Sequence, residues 1–275
     1  MILTIILLLI FIISLYLFLI FPRFSKKEEM KQYIGEKFAH RGYHNIHKGI
    51  PENSMAAFSN AISNHYGIEL DVQMTRDKEV VVFHDDSLKR ICNADGFVKD
   101  YSYEELRQFS LARTGMKIPL LRDVLTLVDG KVPLLIEIKM PNNNYRLCRE
   151  TYRLLKTYTG PYLIQSFNPL VLYWFKKNAS EVLRGQLSSH RFERKDSEKF
   201  VHRFSLTHLL SNFIGRPDFI SYQFPGTETL TNVLLFRVLH LPYGVWTLRT
   251  DKDISYGKTH YSMIIFEDPD ILKNS

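Results

Sequence analysis

Two cysteines, Cys92 and Cys148, are all that a chain of 275 residues carries. They offer neither a zinc-ligand spacing nor a disulfide framework, and are read as unpaired thiols that leave the compartment open. The sequence also lacks a zinc finger, a Gly-rich nucleotide loop and any nucleic-acid signature. A net charge of +7 therefore points to a membrane surface and an anionic ligand; plain solubility is the bland account. No charged side chain occurs before Arg23. The N-terminus has neither the basic start nor the small-residue cleavage site of a signal peptide.

What the sequence does have begins with an apolar run. Residues 1–21 are interrupted only by Thr4, Ser14 and Tyr16. As a helix the run is about 30 Å long, enough to cross a bilayer core. The expectation is an uncleaved single-pass anchor over 1–22, ended by Pro22; a buried helix of a soluble protein is the alternative. A mixed basic and acidic linker, 23–36, contributes Arg23, Lys26, Lys27 and Lys31. The positive-inside rule places this flank, and the domain over 37–275, on the cytoplasmic side of the cell membrane. The opposite orientation stays open, because the other flank is very short.

From Lys37 onward, β-branched runs alternate with helical patterns. Strands are expected over 37–42, 67–74, 79–84, 132–140, 161–167, 182–188, 219–224, 244–248 and 262–267. Helices are expected from Asn53 or Ser54 and over 120–128, 145–158, 169–178, 192–213 and 229–240. A helix between 251 and 260 is barely visible, and the closing helix after Asp268 is a stub. Such alternation implies a parallel sheet, and eight units of it a TIM (β/α)8 barrel. Residues 85–118 break the alternation and are read as a small insertion after the third strand, over the mouth. The apolar stretch 199–216, with Phe200, Val201, Phe204, Leu206, Leu209, Leu210, Phe213 and Ile214, is read as an outer barrel helix. A helix lying on the bilayer is the alternative. Abundant aromatics, 19 Phe and 15 Tyr, supply a large core.

The polar residues gather at strand ends, where a barrel keeps its chemistry. Side chains two apart on a strand share a face, so Glu69 pairs with Asp71, Glu137 with Lys139, and Val80 and Val82 with His84. His40 and Arg41 join them. Three carboxylates offer only oxygen ligands, which suit one hard cation such as Mg²⁺, Ca²⁺ or Mn²⁺. The alternative is separate salt bridges to Lys139 and Arg41. Arg41 can grip a phosphate with two donors and Lys139 can act as a point charge. His40 and His84 then remain for proton transfer.

In order along the chain stand His40-Arg41-Gly42, Pro51-Glu52-Asn53-Ser54 with Ala57-Phe58, Glu69-x-Asp71, Val82-Phe83-His84-Asp85 and Glu137-Ile138-Lys139. In kind, order and approximate spacing this series resembles the glycerophosphodiester phosphodiesterase family. Weaker pieces, Gln165-Ser166-Phe167, Trp246-Thr247-Leu248 and Phe266-Glu267-Asp268-Pro269, extend the likeness over about 37–270. The resemblance implies His40 and His84 as acid and base, and Glu69, Asp71 and Glu137 as ligands of one divalent cation. It implies Arg41 and Lys139 as phosphate contacts. Glu52 would border the site, at the metal or the glycerol hydroxyls. Trp246 would stack on the glycerol portion or belong to the core. Two positions depart from the family pattern: Glu267-Asp268 where Thr-Asp is frequent, and Arg249 where Asn often follows the Trp-Thr segment.

The expected activity is metal-dependent hydrolysis of glycerophosphodiesters to glycerol 3-phosphate and an alcohol. The anchor and the apolar 199–216 stretch extend the expected substrates to lysophospholipids. Attack by a substrate hydroxyl, through a cyclic phosphate, and direct attack by water are both open. Two rivals are a phospholipase D-like enzyme of the same barrel acting on lyso- or sphingolipids, and a non-catalytic, membrane-tethered headgroup binder. The expected partners are the substrate and the membrane, with no nucleic acid and no protein.

Overall fold

The structure, a computed structural model, describes residues 1–140, 144–190, 200–268 and 270. The expected helical stretch 192–199, the side chains of Phe200 and Val201, Pro269 and the closing stub 271–275 lie outside the described residues. Eight parallel strands form the sheet: β1 (Lys37–Ala39) and β2 (Gly67–Met74), then, after a short β3 (Val80–Val82), β4 (Leu134–Ile138), β5 (Tyr162–Ser166), β6 (Arg184–Ser188), β7 (Phe219–Gln223), β8 (Tyr243–Leu248) and β9 (Met263–Phe266). β1 pairs in parallel with both β2 and β9, which closes the barrel.

β3 corrects the sequence reading. It runs antiparallel to β2, with Val82 opposite Val72 and Val80 opposite Met74, outside the barrel ring. The segment 75–79 is far too short for a parallel crossover, which takes about a dozen residues or more. The insertion that follows has its own small core, in which Phe83, Leu88, Val98, Leu106, Leu111 and Ile118 pack on Val81.

The lumen changes character with height. At the strand starts, here called the floor, Phe38, Leu135, Leu163, Phe219, Met263 and Ile265 fill it. Toward the strand ends, the mouth, buried Glu69, Asp71, Glu137 and Gln165 take over. Gly185 makes room for this filling: a Cβ there would stand 2.2 Å from the Phe219 ring. Segment 23–36 covers the floor. Met30 and Tyr33 join the lower cluster, and the Tyr33 hydroxyl donates to the Tyr162 carbonyl at 3.1 Å. Arg23 donates to both Asp218 oxygens at 2.5 Å and to the Ser180 carbonyl at 2.6 Å.

The first helix, α1 (Ile2–Ile20), is long and apolar enough to cross a membrane, as anchors and signal sequences are. Its residues 2–15 are exposed, and only Tyr16, Leu19 and Ile20 are covered. These sit at i, i+3 and i+4, one face of one turn. Ile20 is fully buried, a contact worth about 1.5–3 kcal/mol.

Elsewhere the described part of the expected helix 192–213 is two shorter ones, Phe200–Thr207 and Asn212–Gly215. Leu209, at φ 55, breaks between them. Leu206 and Leu209 are buried in the barrel flank, as an outer helix requires. The faint helix 251–260 is formed over Asp251–His260, capped by Thr250 accepting from the Asp253 N–H. Both cysteines are free.

Candidate active site

Three acids converge at the mouth because the register makes them neighbours. Asp71 on β2 stands beside Glu137 on β4, and Glu69 lies two residues before Asp71 on the same inward face. Ligand oxygens of all three fall within 4.8 Å of one another, and all three residues are buried. Burial, with the Asp71 and Glu137 charges, pushes the Glu69 carboxyl well above the usual range. Burial also raises Asp71, but Lys139, His84 and Arg41 outweigh it and hold Asp71 well below the usual range. A crowded set in which one carboxyl is driven to keep its proton is one that a hard divalent cation fits, through oxygen donors alone.

Two cations frame the acids. Lys139 Nζ lies 2.7 Å from Glu137 Oε1 and 3.1 Å from Asp71 Oδ1. Burial lowers its pKa, but these two acids outweigh that and raise it. Arg41 turns through φ 55 just after β1, which lets its main-chain N–H donate to Glu69 Oε2 at 3.0 Å. Its guanidinium donates to Glu52 Oε1 at 2.7 Å. Asn53, also at positive φ, donates to Asp71 Oδ2 at 2.9 Å.

Both histidines line the cavity that Glu69 and Glu137 also line, each tied through Nδ1. His40 Nδ1 lies 2.8 Å from Glu267 Oε1. His84 Nδ1 lies 2.6 Å from Asp85 Oδ1. Burial raises both carboxyls, but the histidines and the arginines Arg249 and Arg90 outweigh it and hold them well below the usual range. An ionised carboxylate only accepts, so each Nδ1 donates and each Nε2 is the nitrogen left for proton exchange. Burial pulls His40 down to about 4, opposed by Glu267.

His40, Arg41, Glu69, His84, Glu137 and Trp246 line one cavity of about 190 Å³. Asp71 lies behind it. Lys139 borders a neighbouring cavity of about 280 Å³ under the insertion, with Met74, Phe97 and Asn144. Trp246 sets its ring edge-on to Phe167 and donates from Nε1 to the Ser221 carbonyl at 3.2 Å. Glu52 does not line the cavity. It holds Arg41 on one side and Arg90 on the other, at 2.7 Å each. Burial raises Glu52, but Arg90 and Arg41 bring it down to about 2.

Sequence reasoning missed Arg90, which bridges Asp85 and Glu52 from the insertion. It also missed that Arg249 and Glu267 form an ion pair at 2.8 Å. The two departures from the family pattern are thus one structural unit behind His40.

Fold and site together define a (β/α)8 barrel whose mouth can seat a divalent cation among carboxylates, with two imidazoles lining the same cavity. The chain belongs to the glycerophosphoryl diester phosphodiesterase family, whose profile matches residues 40–270. A glycerophosphodiester phosphodiesterase of Bacillus altitudinis is 44% identical over 117 residues, 40% of this chain and 46% of that protein. A lysophospholipase D of Rattus norvegicus is 30% identical over 166 residues, 56% of this chain and 51% of that protein. The chain thus spans about half the length of the curated relatives it matches. Among solved structures, an Oleispira antarctica phosphodiesterase in complex with the product sn-glycerol-3-phosphate superposes with a TM-score of 0.70 at 20% identity. The match covers 88% of this chain and 97% of that one, and such a distant likeness speaks for the fold.

Proposed function

We propose that the protein is a membrane-anchored, metal-dependent phosphodiesterase that hydrolyses glycerophosphodiesters to glycerol 3-phosphate and an alcohol. Lysophospholipids belong to its substrates. The observation that carries this is the pair of Nδ1-tethered histidines lining one cavity with the buried Glu69 and Glu137. Glu69, Asp71 and Glu137 would hold the cation, taken here as Mg²⁺, Ca²⁺ or Mn²⁺. Bound there, it supplies the charge that holds a phosphate oxygen and polarises phosphorus.

The chain's own residues do the rest. Arg41 and Lys139 neutralise the diester phosphate. Of His40 and His84, one takes the proton of the attacking hydroxyl at Nε2 and the other gives one to the leaving alkoxide. Trp246 offers an apolar wall to the glycerol portion. Glu52 acts at one remove, by fixing the direction of Arg41.

We divide the chain into an anchor at 1–22, a joining segment at 23–36 and a catalytic barrel from 37. The packing of Ile20, Met30 and Tyr33 into the barrel supports an uncleaved anchor. The basic flank after Pro22 supports a cytoplasmic barrel.

The test is release of glycerol 3-phosphate from a panel of glycerophosphodiesters and lysophospholipids, with and without chelator. Wild-type turnover should vanish with chelator and return with a divalent cation. His40→Ala should lower kcat by about 10²–10⁴, and Glu69→Ala should abolish the response to metal. Undiminished release from His40→Ala would refute the assignment.

A further inference from the structure

We infer that α1 turns the mouth of the barrel toward the bilayer and draws its rim, at Leu230, into the lipid interface. This placement rests on the anchor reading given above and adds a direction to it.

The last residues of α1 lie at floor level. The Arg23 main-chain N–H donates to the Pro217 carbonyl at 2.9 Å. The Arg216 guanidinium donates to the carbonyls of Phe18 and Phe21 at 2.9 and 2.7 Å. Arg216 and Pro217 immediately precede β7, so these contacts mark its floor end. Tyr16, earlier in α1, reaches another level: its hydroxyl meets that of Thr231 at 2.8 Å. Thr231 lies in the first turn of the helix that leaves the mouth end of β7, begun by the Thr229 cap. That helix then descends, since Phe236 packs on Tyr243 at the floor end of β8 with ring centroids 5.3 Å apart. Followed back toward Met1, α1 therefore climbs the barrel wall from floor to mouth.

Residues 2–15 continue past this last contact with nothing against them. They span about 21 Å, short of the roughly 30 Å of a bilayer's hydrocarbon core. Residues 16–20 are needed to complete the crossing, yet they are pinned to the wall. The wall beside them must then sit in the interface. Leu230, next to Thr231, stands 76% exposed at that rim. Ile34, 51% exposed, lies on the floor and faces away. An acyl chain in the outer part of the leaflet would bring its glycerophosphodiester headgroup to the mouth without leaving the interface.

The experiment uses the full chain in phosphatidylcholine vesicles. Leu230→Cys and Ile34→Cys, each with Cys92→Ser and with buried Cys148 left in place, are labelled with bimane and checked for fold by circular dichroism. Lipid carrying a nitroxide high on its acyl chain should quench the label at 230 several-fold more than the label at 34, and aqueous iodide should do the reverse. Equal quenching, or stronger lipid quenching at 34, in a protein that resists carbonate extraction overturns the inference and leaves the anchor standing. Extraction by carbonate overturns the anchor reading and the placement with it.

Discussion

A histidine serves proton transfer well when one ring nitrogen is fixed and the other is left free. Glu267 fixes His40, and Arg249 fixes Glu267. The carboxylate raises the His40 pKa against the pull of burial, so its removal makes the ring a weaker base. Glu267→Ala should lower kcat by on the order of 10² with little change in KM. The acid limb of its kcat/KM profile should move to lower pH. An unmoved limb would reduce Glu267 to packing. Arg90 makes a second residue-scale case. The folded Glu52 pKa, about 2, lies below its ordinary value. Its contribution to stability is thus complete above about pH 4.5 and lost as pH falls through about 2. Arg90→Gln removes the two charged hydrogen bonds from Arg90 to Glu52 that oppose burial, so Tm should depend less steeply on pH between 5 and 3 than in the wild type. The positions of the three acids and both histidines were legible in sequence because each lies in or just after an apolar strand run. The Arg90–Glu52 and Arg249–Glu267 pairings were not, because those partners are brought close by the fold and not by spacing.

Elements were legible where their own periodicity is strong, and misread where length decides. Val80–Val82 has the composition of a barrel strand, and only the shortness of 75–79 shows that it must turn back on β2. The helix Asp251–His260 was faint because, of its residues, Gly257 alone is buried, which leaves no apolar stripe to see. The joining segment carries the strongest element-scale prediction. Arg23 forks onto Asp218, whose side chain is 1% exposed. Removing the fork leaves this buried carboxylate with the Arg184 N–H at 2.9 Å but without its charge partner, a loss of about 3–5 kcal/mol for a fully enclosed pair. Arg23 is itself 14% exposed, so the low end, about 3 kcal/mol, is expected. Arg23→Ala should therefore lower Tm by several degrees, and Asp218→Asn in the same chain should restore part of it. A Tm equal to wild type would mean that Asp218 finds water or another donor.

For the whole molecule, the consequence is that the N-terminal segment and the barrel do not separate at Lys37. The lumen has an apolar floor, and the chain covers it with residues that precede β1. A protein beginning at residue 16 loses only side chains that touch nothing. It should be soluble and keep a Tm within a few degrees of the full chain. A protein beginning at residue 37 loses Ile20, Met30 and Tyr33, buried side chains worth about 1.5–3 kcal/mol each, and leaves Asp218 without the Arg23 guanidinium. Together these rival the roughly 5–15 kcal/mol that hold a domain folded. It should aggregate on expression or melt far below the longer form. Circular dichroism melts of the two proteins decide the matter. If both melt together, segment 23–36 is a tether lying against a self-sufficient barrel; if they separate, the floor is part of the folding unit.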